Sequence, residues 1–400
     1  MFVDFSDDGS RDAFGNGRFS QQYTVFSSSE IYQQENLYWS TSLNGSGSAI
    51  TQDTGYADVT LTTGTASGNW ASYQTKTYWN YQPGKSQLIK LTGNFFGGVA
   101  NAVKRIGLFD DNNGFYFQLS GTALSVGLRT HTSGSTVDTI VPQTSWNVDK
   151  MDGTGVSHIN LDTTKAQIWV IDYQWLGVGR VRYGVGVRGQ IYYVHMIDNS
   201  NAVQYPYVQS PNLPVRYEQR NVGTLSAATM MTKICAAVAS EGGVDGGVYR
   251  RSVSIPVAAT VGNTPMPIVA IRIQAGYTRG AAVRPTSFWA VNTGTNSATQ
   301  FGVCYNCGLV GGTWVKLTNS AVEYNTTATA IYLTFTTSAI VSTNGLGKNA
   351  SSPLYPITMD RFLWGSFDYN QVVPDTWTLY GIDSSGSDGY LAGFNFDEVR

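Results

Sequence analysis

Short stretches in which apolar and polar residues alternate are the feature that most constrains this chain of 400 residues. Residues 167–175 and 177–186 both alternate in this way, with glycines within and between them. A period of two places successive side chains on opposite faces of a strand, whereas an amphipathic helix needs a period near 3.6. No long amphipathic helix is evident, so the pattern predicts an all-β fold made of many short strands.

Turn residues mark where these strands connect. Asn113-Gly114 lies between the apolar runs 105–109 and 115–119, which is a strong signal for a β-hairpin. Residues 229–239 fit either a helix or a strand. We favour a strand, because strands are predicted on both sides and helix-capping residues are absent.

The spacing of the predicted strands indicates two β-sandwiches. Residues 56–243 are predicted to form a jelly-roll or concanavalin-like sandwich, and residues 244–400 a second, smaller one. Residues 1–55 contain polar, turn-prone stretches and scattered aromatics. We therefore predict that they form an extended N-terminal arm, which lies on the first sandwich or on a neighbouring subunit. Further strands are predicted over residues 247–256, 267–275, 287–293, 301–309, 313–317, 329–336 and 376–383.

Charge and hydropathy exclude two classes of partner. The chain has 25 Lys and Arg against 27 Asp and Glu, a formal net charge of −2, so no basic excess indicates nucleic-acid binding. No apolar run approaches the roughly 20 residues that a membrane-spanning helix needs, so no membrane insertion is predicted. The acidic, polar residues 1–11 do not resemble a secretory signal.

The reactive residue types form no recognisable catalytic or metal-binding pattern. The three histidines, His131, His158 and His195, match no catalytic triad and no metal-ligand spacing. The chain has six glutamates, and none lies two positions from another carboxylate on a predicted strand; Asp172 is alone on its strand. The sequence therefore predicts no catalytic, cofactor-binding or metal-binding residue, no cofactor and no enzymatic activity.

Three local patterns each allow two interpretations. Cys304 and Cys307 form a single CxxC, which we interpret as strand cysteines beside a turn rather than a zinc or redox site. Arg180 and Arg182 share one face of a strand, where they either bind a carboxylate or phosphate or cover an exposed sheet face, the commoner case. Trp169 and Trp175 are interpreted as core residues rather than as a platform for sugars.

The resemblance to a known family extends over residues 17–243. The matching stretches are GRFSQQYTVFSSSEIYQQENLYW at 17–39, YWNYQPGKSQLIKLTGNF at 78–95, RIGLFDDNNGFYFQLSG at 105–121, QTSWNVDKMDGTG at 143–155, LDTTKAQIWVIDYQWLGVGRVRYG at 161–184, PNLPVRYE at 211–218 and TKICAAVASEGG at 232–243. This part of the chain resembles a domain of virion structural proteins from tailed DNA bacteriophages and some large DNA viruses. The resemblance supplies no catalytic residues.

The resemblance implies a non-enzymatic structural protein of the virion, in the head, vertex, tail or fibre. Its expected partners are copies of itself, in a closed ring such as a trimer, and other virion proteins of the capsid, portal or tail. One alternative is a carbohydrate-binding receptor module of a viral fibre, for which Tyr205-Pro206-Tyr207 or Tyr355-Pro356 would supply aromatic rings to a host-surface glycan. Another is a polysaccharide depolymerase, which would require two carboxylates at glycosidase distance.

Overall fold

Strands dominate the computed structural model of the protein. It describes residues 21–242, 248–255, 259–261, 263–277, 281–292, 299–332, 339–346, 357–358, 373–383 and 389–399. Within these ranges the one helix is the short 3-10 turn Gln143–Ser145. No helix in the described ranges is long and apolar enough to cross a membrane. The predicted all-β fold class is confirmed.

The first sandwich contains fifteen strands. They are β1 (Gln22–Ser29), β2 (Trp39–Asn44), β3 (Ala49–Asp53), β4 (Asp58–Thr63), β5 (Trp70–Thr75), β6 (Gln87–Asn94), β7 (Val99–Phe109), β8 (Gly114–Gly121), β9 (Ala123–Thr130), β10 (Val137–Pro142), β11 (Gln167–Tyr173), β12 (Arg180–Val187), β13 (Gln190–Asp198), β14 (Val215–Asn221) and β15 (Thr229–Glu241). One sheet has eight strands, in the order β13-β12-β11-β6-β15-β4-β3, with β1 also paired to β15. The other has seven, in the order β10-β9-β8-β7-β14-β5-β2.

The two sheets pack face to face around one aromatic core. The Phe117 ring of β8 lies 4.7 Å from the Trp169 ring of β11 and 5.7 Å from the Tyr183 ring of β12. All three side chains are fully buried. Phe117 comes from the seven-stranded sheet and Trp169 and Tyr183 from the eight-stranded one, so this aromatic cluster joins the two sheets face to face.

Residues 22–53 differ from the predicted extended arm. They form β1, β2 and β3, and these strands pair with β15, β5 and β4 of the first sandwich. Phe26 and Trp39 enter the core, where Trp39 stacks on Tyr73 with ring centroids 4.6 Å apart. The scattered aromatics are therefore core residues of the sandwich itself. The first twenty residues of the predicted arm lie outside the described residues.

The second sandwich follows. Its strands are β16 (Val248–Ser254), β17 (Ala259–Thr260), β18 (Met266–Ile273), β19 (Ala282–Asn292), β20 (Thr299–Tyr305), β21 (Gly308–Val310), β22 (Val315–Lys316), β23 (Val322–Asn325), β24 (Ala330–Tyr332), β25 (Ala339–Leu346), β26 (Ile357–Thr358), β27 (Thr376–Asp383) and β28 (Gly389–Val399). A five-stranded sheet contains β16-β28-β19-β26 and β17, and a six-stranded sheet has the order β22-β23-β18-β27-β20-β25. Strands β21 and β24 pair separately. Side chains of the two larger sheets share a second buried core.

Two local predictions agree with the structure, and a third needs an addition. Strands β7 and β8 form the predicted hairpin around Asn113-Gly114, and residues 229–241 form a strand. Cys304 lies at the end of β20 beside a turn, as predicted, but its sulfur is bonded to that of Cys307 in a disulfide. The sequence reading of two separate strand cysteines did not include this bond.

Candidate functional site

A polar cavity lies on the outer face of the eight-stranded sheet, over β11, β12 and β13. Antiparallel pairing places Asp172 opposite Arg182, and Arg180 opposite Asp198. Val181 and Tyr183, the residues on either side of Arg182 in β12, point into the core. Alternation thus places two arginines and two aspartates on one outer face.

Asp172 is the most buried charged group of this cavity. Its side chain is 9% exposed, compared with 38% for that of Arg182. The carboxylate oxygen Oδ2 accepts hydrogen bonds from Arg182 Nη2 and, at 3.0 Å, from the Tyr193 hydroxyl. The Arg182 guanidinium also lies 4.3 Å from the centre of the Tyr193 ring. These three side chains therefore fix one another's positions.

Tyr193 reaches this position through a bulge in β13. The register shifts between Tyr183 and Gly184, and Tyr193 becomes the partner of Gly184. A Cβ atom at Gly184 would lie 3.2 Å from the Tyr193 ring, so glycine allows the ring to lie close over the strand. Burial, followed by the charge of Asp172, raises the pKa of Tyr193 to about 12. The hydroxyl therefore stays protonated at neutral pH and donates a hydrogen bond to Asp172.

The second ion pair is more accessible. Arg180 Nε donates to Asp198 Oδ1, and the two side chains are about half exposed. Next to this pair, Asn199 Nδ2 donates to the Gly179 carbonyl at 2.7 Å, which holds the chain after β13 against the turn before β12. Because the turn and the ion pair adjoin, they form one wall of the cavity.

The cavity has a volume of about 320 Å³, within the range of roughly 300–1,000 Å³ that is usual for small-molecule sites. It is lined by Ser86, Asp172, Gln174, Gly179, Arg180, Arg182, Asp198, Asn199 and Ser200. The two arginines and two aspartates balance, so the charged lining has no net charge. Guanidinium groups supply hydrogen-bond donors, carboxylates supply acceptors, and the amides supply both.

Sequence reasoning predicted no site residue in this region. It correctly placed Arg180 and Arg182 on one face, and the structure shows that each binds a carboxylate of the chain itself. Asp172, read as alone on its strand, has Arg182 as its cross-strand partner. Asp198 is a further charged residue of the cavity that the sequence analysis does not predict. The pairing of both aspartates follows from the register of the β11–β12 and β12–β13 hairpins. Short turns fix that register once the ends of the strands are known.

The aromatic candidates occupy other positions. Trp169 is fully buried in the core, as predicted, and Trp175 packs against the core while donating to the Val208 carbonyl at 3.2 Å. In the segment 205–207, Tyr205 is exposed, whereas Tyr207 is buried and donates to the Gln174 carbonyl at 2.9 Å. Tyr355-Pro356 lies outside the described residues.

The histidines lie apart from the cavity lining. His195 is buried, burial lowers its pKa, and its Nδ1 accepts a hydrogen bond from the Asn147 amide at 3.2 Å. His131 is partly buried and His158 is exposed. Across the described ranges, no group of three or more His, Cys, Asp or Glu side chains is arranged to hold a metal ion.

Comparison with known proteins gives similarity at the level of structure. No family model and no curated protein matches the sequence. A β-glucanase from Bacillus licheniformis matches with a TM-score of 0.33 and 10% identity, over 55% of this chain and 97% of its own. A glycosyl hydrolase family protein from Mycobacterium fortuitum matches with a TM-score of 0.37 and 11% identity, over 54% of this chain and 99% of its own. A legume lectin-like domain from Entamoeba histolytica matches with a TM-score of 0.31 and 10% identity, over 54% of this chain and 96% of its own.

These matches correct one prediction. The sequence reading that this chain is not an enzyme is contradicted, because glucanases and glycosyl hydrolases are among the solved structures similar to it. At these scores the similarity transfers neither an activity nor a ligand to the chain.

Proposed function

We propose that this chain is a glycan-binding component of a virion, and that the cavity over β11, β12 and β13 holds one sugar unit. The observation that carries the proposal is the composition of the cavity: two Arg–Asp pairs and two amide side chains surround about 320 Å³. Such a lining presents donors and acceptors in similar numbers. A sugar ring, whose hydroxyl groups both donate and accept, matches it.

The charge balance favours a neutral glycan over an anion. A phosphate or sulfate accepts hydrogen bonds but donates few or none, so it would leave Asp172 and Asp198 facing its negative charge. A neutral hydroxyl pair can instead bridge a guanidinium and a carboxylate. The ion pairs already hold these groups in place, which reduces the entropy cost of binding.

The two loops that follow β11 and β13, each of which supplies residues to the cavity, also carry exposed apolar side chains that suit the C–H face of a sugar. Leu176 is 54% exposed and Tyr205 is 68% exposed. They lie on two adjacent loops, because the Tyr207 amide donates to the Gly177 carbonyl at 2.9 Å. Asn199 and Ser200 of the cavity begin the loop that carries Tyr205. An exposed aromatic beside a polar cavity suits an amphipathic sugar ring.

The location in a virion is supported by the resemblance of residues 17–243 to virion structural proteins. Assembly into a homo-oligomer such as a trimer, with contacts to other virion proteins, belongs to the same proposal. Light scattering of the purified full chain gives its mass in solution, and a discrete oligomer is expected. A monomer at all accessible concentrations would contradict the assembly part and leave glycan binding to be judged separately.

Glycan binding is tested by an array of neutral and charged glycans, followed by calorimetry with the full chain. Asp172→Asn and Asp198→Asn should each weaken binding of a neutral glycan about tenfold or more, as expected when a charge-assisted hydrogen bond is lost. Asp138→Asn is the matched control, because Asp138 also pairs with an arginine, Arg129, but on the other sheet.

Two results would contradict the cavity assignment: no glycan binds, or both cavity variants bind as tightly as the unaltered chain. Each bound glycan is also analysed by mass spectrometry after prolonged incubation. Intact glycan identifies the cavity as a binding site. Shorter fragments identify a hydrolase, and loss of cleavage in the two variants would show that it uses these carboxylates.

A further inference from the structure

A second cavity of about 450 Å³ lies where the two sandwiches meet. The first sandwich contributes Tyr23 and Val25 of β1, residues 77–80 and Gln82 of the segment before β6, and Ser240 of β15. The second contributes Arg250, Ala282, Arg284, Asp397 and Val399. Because its walls come from two different cores, this cavity is separate from the one over β11, β12 and β13.

One wall is a row of three charged side chains on neighbouring strands. Asp397 of β28 is the cross-strand partner of both Arg250 of β16 and Arg284 of β19. Its carboxylate oxygens lie 3.4 Å from Arg250 Nε and 3.0 Å from Arg284 Nη2. Two guanidinium groups share one carboxylate, so the charged lining has a net charge of +1.

Arg250 is the accessible member of this row. Its side chain is 87% exposed, whereas that of Asp397 is 4% exposed. The long contact to Asp397 uses only Arg250 Nε, and a guanidinium has five N–H donors. Arg250 can therefore bind an anion from outside while keeping its contact with Asp397.

The opposite wall is aromatic and polar. Tyr23 is 49% exposed, and Trp79 is buried with one face stacked on Phe26 at 4.4 Å. Trp79 Nε1, Gln82 Oε1 and Ser240 Oγ are buried polar atoms that make no hydrogen bond within the described residues. Buried polar atoms are usually paired, and an unpaired atom costs roughly 1–3 kcal/mol. This wall therefore has hydrogen-bonding capacity that the described part of the chain does not use.

We propose that this second cavity binds a saccharide that carries a carboxylate, such as a uronic acid unit. The carboxylate pairs with Arg250, the exposed cation of the Arg250–Asp397–Arg284 row. The sugar ring packs on the exposed ring of Tyr23. Its hydroxyl groups suit a wall that offers both an N–H donor and oxygen acceptors. This site does not depend on the neutral-glycan cavity, so either assignment can fail alone.

The test uses calorimetry with the full chain and two matched probes. One is a short oligomer of galacturonic acid, and the other is the same oligomer with its carboxyl groups reduced to alcohols. The acidic oligomer is expected to bind about tenfold or more tightly than the reduced one. Raising the salt concentration should weaken binding of the acidic oligomer, because exposed charges are screened.

Arg250→Ala should lower affinity for the acidic oligomer about tenfold or more and abolish the preference over the reduced one. Lys316→Ala is the control, since Lys316 is an exposed cation of the same sandwich outside the cavity, and should leave both affinities unchanged. Tyr23→Ala should weaken both oligomers alike, because stacking does not depend on the carboxylate. Far-UV circular dichroism confirms that each variant is folded.

The proposal is overturned if the two oligomers bind equally or not at all, or if Arg250→Ala binds the acidic oligomer as tightly as the unaltered chain. Equal losses in Arg250→Ala and Lys316→Ala would also overturn it, because they would show a general charge effect. The neutral-glycan cavity is monitored in the same variants with the neutral glycan identified on the array. Its affinity should remain constant.

Discussion

Lys233 Nζ lies 2.6 Å from Glu30 Oε1, and both side chains are completely buried. The ammonium group also donates to Ser28 Oγ at 2.9 Å and lies 4.5 Å from the centre of the Trp39 ring. Glu30 Oε2 in turn accepts a hydrogen bond from the Glu35 amide at 3.0 Å. One ion pair thus attaches the segment between β1 and β2 to the central strand β15.

Removing the cation alone should be strongly destabilising. Lys233→Met leaves Glu30 charged and buried without its partner, which costs roughly 3–5 kcal/mol in comparable buried pairs. Urea unfolding followed by tryptophan fluorescence measures the change in the free energy of unfolding. The double variant Lys233→Met/Glu30→Gln should recover a large part of the loss. Equal stability of the single variant and the unaltered chain would show that the pair does not hold the segment.

Glu218 lies at the centre of a charged network on the outer face of the seven-stranded sheet. Its two carboxylate oxygens lie 3.1 Å from Arg105 Nη1 and 2.7 Å from Arg216 Nη2. Burial alone would raise the pKa of Glu218, but Arg216, Arg105 and other arginines lower it to about 2. The folded chain therefore keeps this carboxylate ionised well below its usual pKa of 4.5.

This network predicts a defined acid sensitivity. A carboxylate whose pKa is lower in the folded state stabilises it above pH 4.5 and loses that contribution as the pH falls towards 2. Glu218→Gln should therefore destabilise the chain by on the order of 3 kcal/mol at pH 6 and by much less near pH 2. Unfolding in urea at several pH values measures this. The exposed Glu241→Gln should change little, and a Glu218→Gln effect that is constant with pH would contradict the network's role.

Local patterns were sufficient to predict many strands. The β7–β8 hairpin follows from Asn113-Gly114 between two apolar runs, and the predicted strand at 376–383 coincides with β27. In both cases the strand boundaries are set by residues within about ten positions. Turn chemistry and alternation act at that range, so a single sequence contains the information.

The contacts of segment 22–53 could not be predicted from local patterns. Glu30 and Lys233 are 203 positions apart in the sequence, and neither residue type predicts its partner. The same applies to the cavity between the sandwiches, which Tyr23 and Arg250 both line although they are far apart in the sequence. Contacts of this kind depend on which strands become neighbours, and alternation within a strand does not specify that.

Lys104 provides a test at alkaline pH. Its Nζ is buried and donates to the carbonyls of Phe95 at 2.6 Å and Met230 at 2.8 Å, and burial lowers its pKa to about 8. Between pH 8 and 10.5 the unfolded chain binds more protons at this group than the folded chain, so stability rises with pH. Above pH 10 the buried tyrosines, whose pKa values are raised by burial, reverse the trend.

The free energy of unfolding should rise by about 1–2 kcal/mol from pH 7.5 to pH 9.5. Urea unfolding under otherwise identical conditions measures this rise. Lys104→Met removes one titrating group and should reduce the rise, whatever its effect on stability at pH 7.5; Lys233, whose pKa burial also lowers, contributes the remainder. The exposed Lys316→Ala should leave the rise unchanged. An undiminished rise in Lys104→Met would assign the alkaline dependence to another residue.

Gly127 and Tyr116 are cross-strand partners on β9 and β8. A Cβ atom at Gly127 would lie 2.2 Å from the Tyr116 ring, which therefore rests directly on the glycine. The Arg105 and Arg129 guanidinium groups lie over the same ring, 5.1 and 5.7 Å from its centre. Any side chain at position 127 must displace this stack, at a cost of about 1–3 kcal/mol.

Gly127→Ala should accordingly destabilise the first sandwich, even though alanine ordinarily stabilises a strand position relative to glycine. In a Tyr116→Ala background the same substitution should cost almost nothing, because the atoms it would strike are gone. This coupling, measured as a double-mutant cycle by urea unfolding, distinguishes ring displacement from a general effect on β9. Gly276→Ala, where a Cβ meets no atom within 4 Å, should be neutral; purely additive effects at positions 116 and 127 would show that the ring does not depend on the glycine.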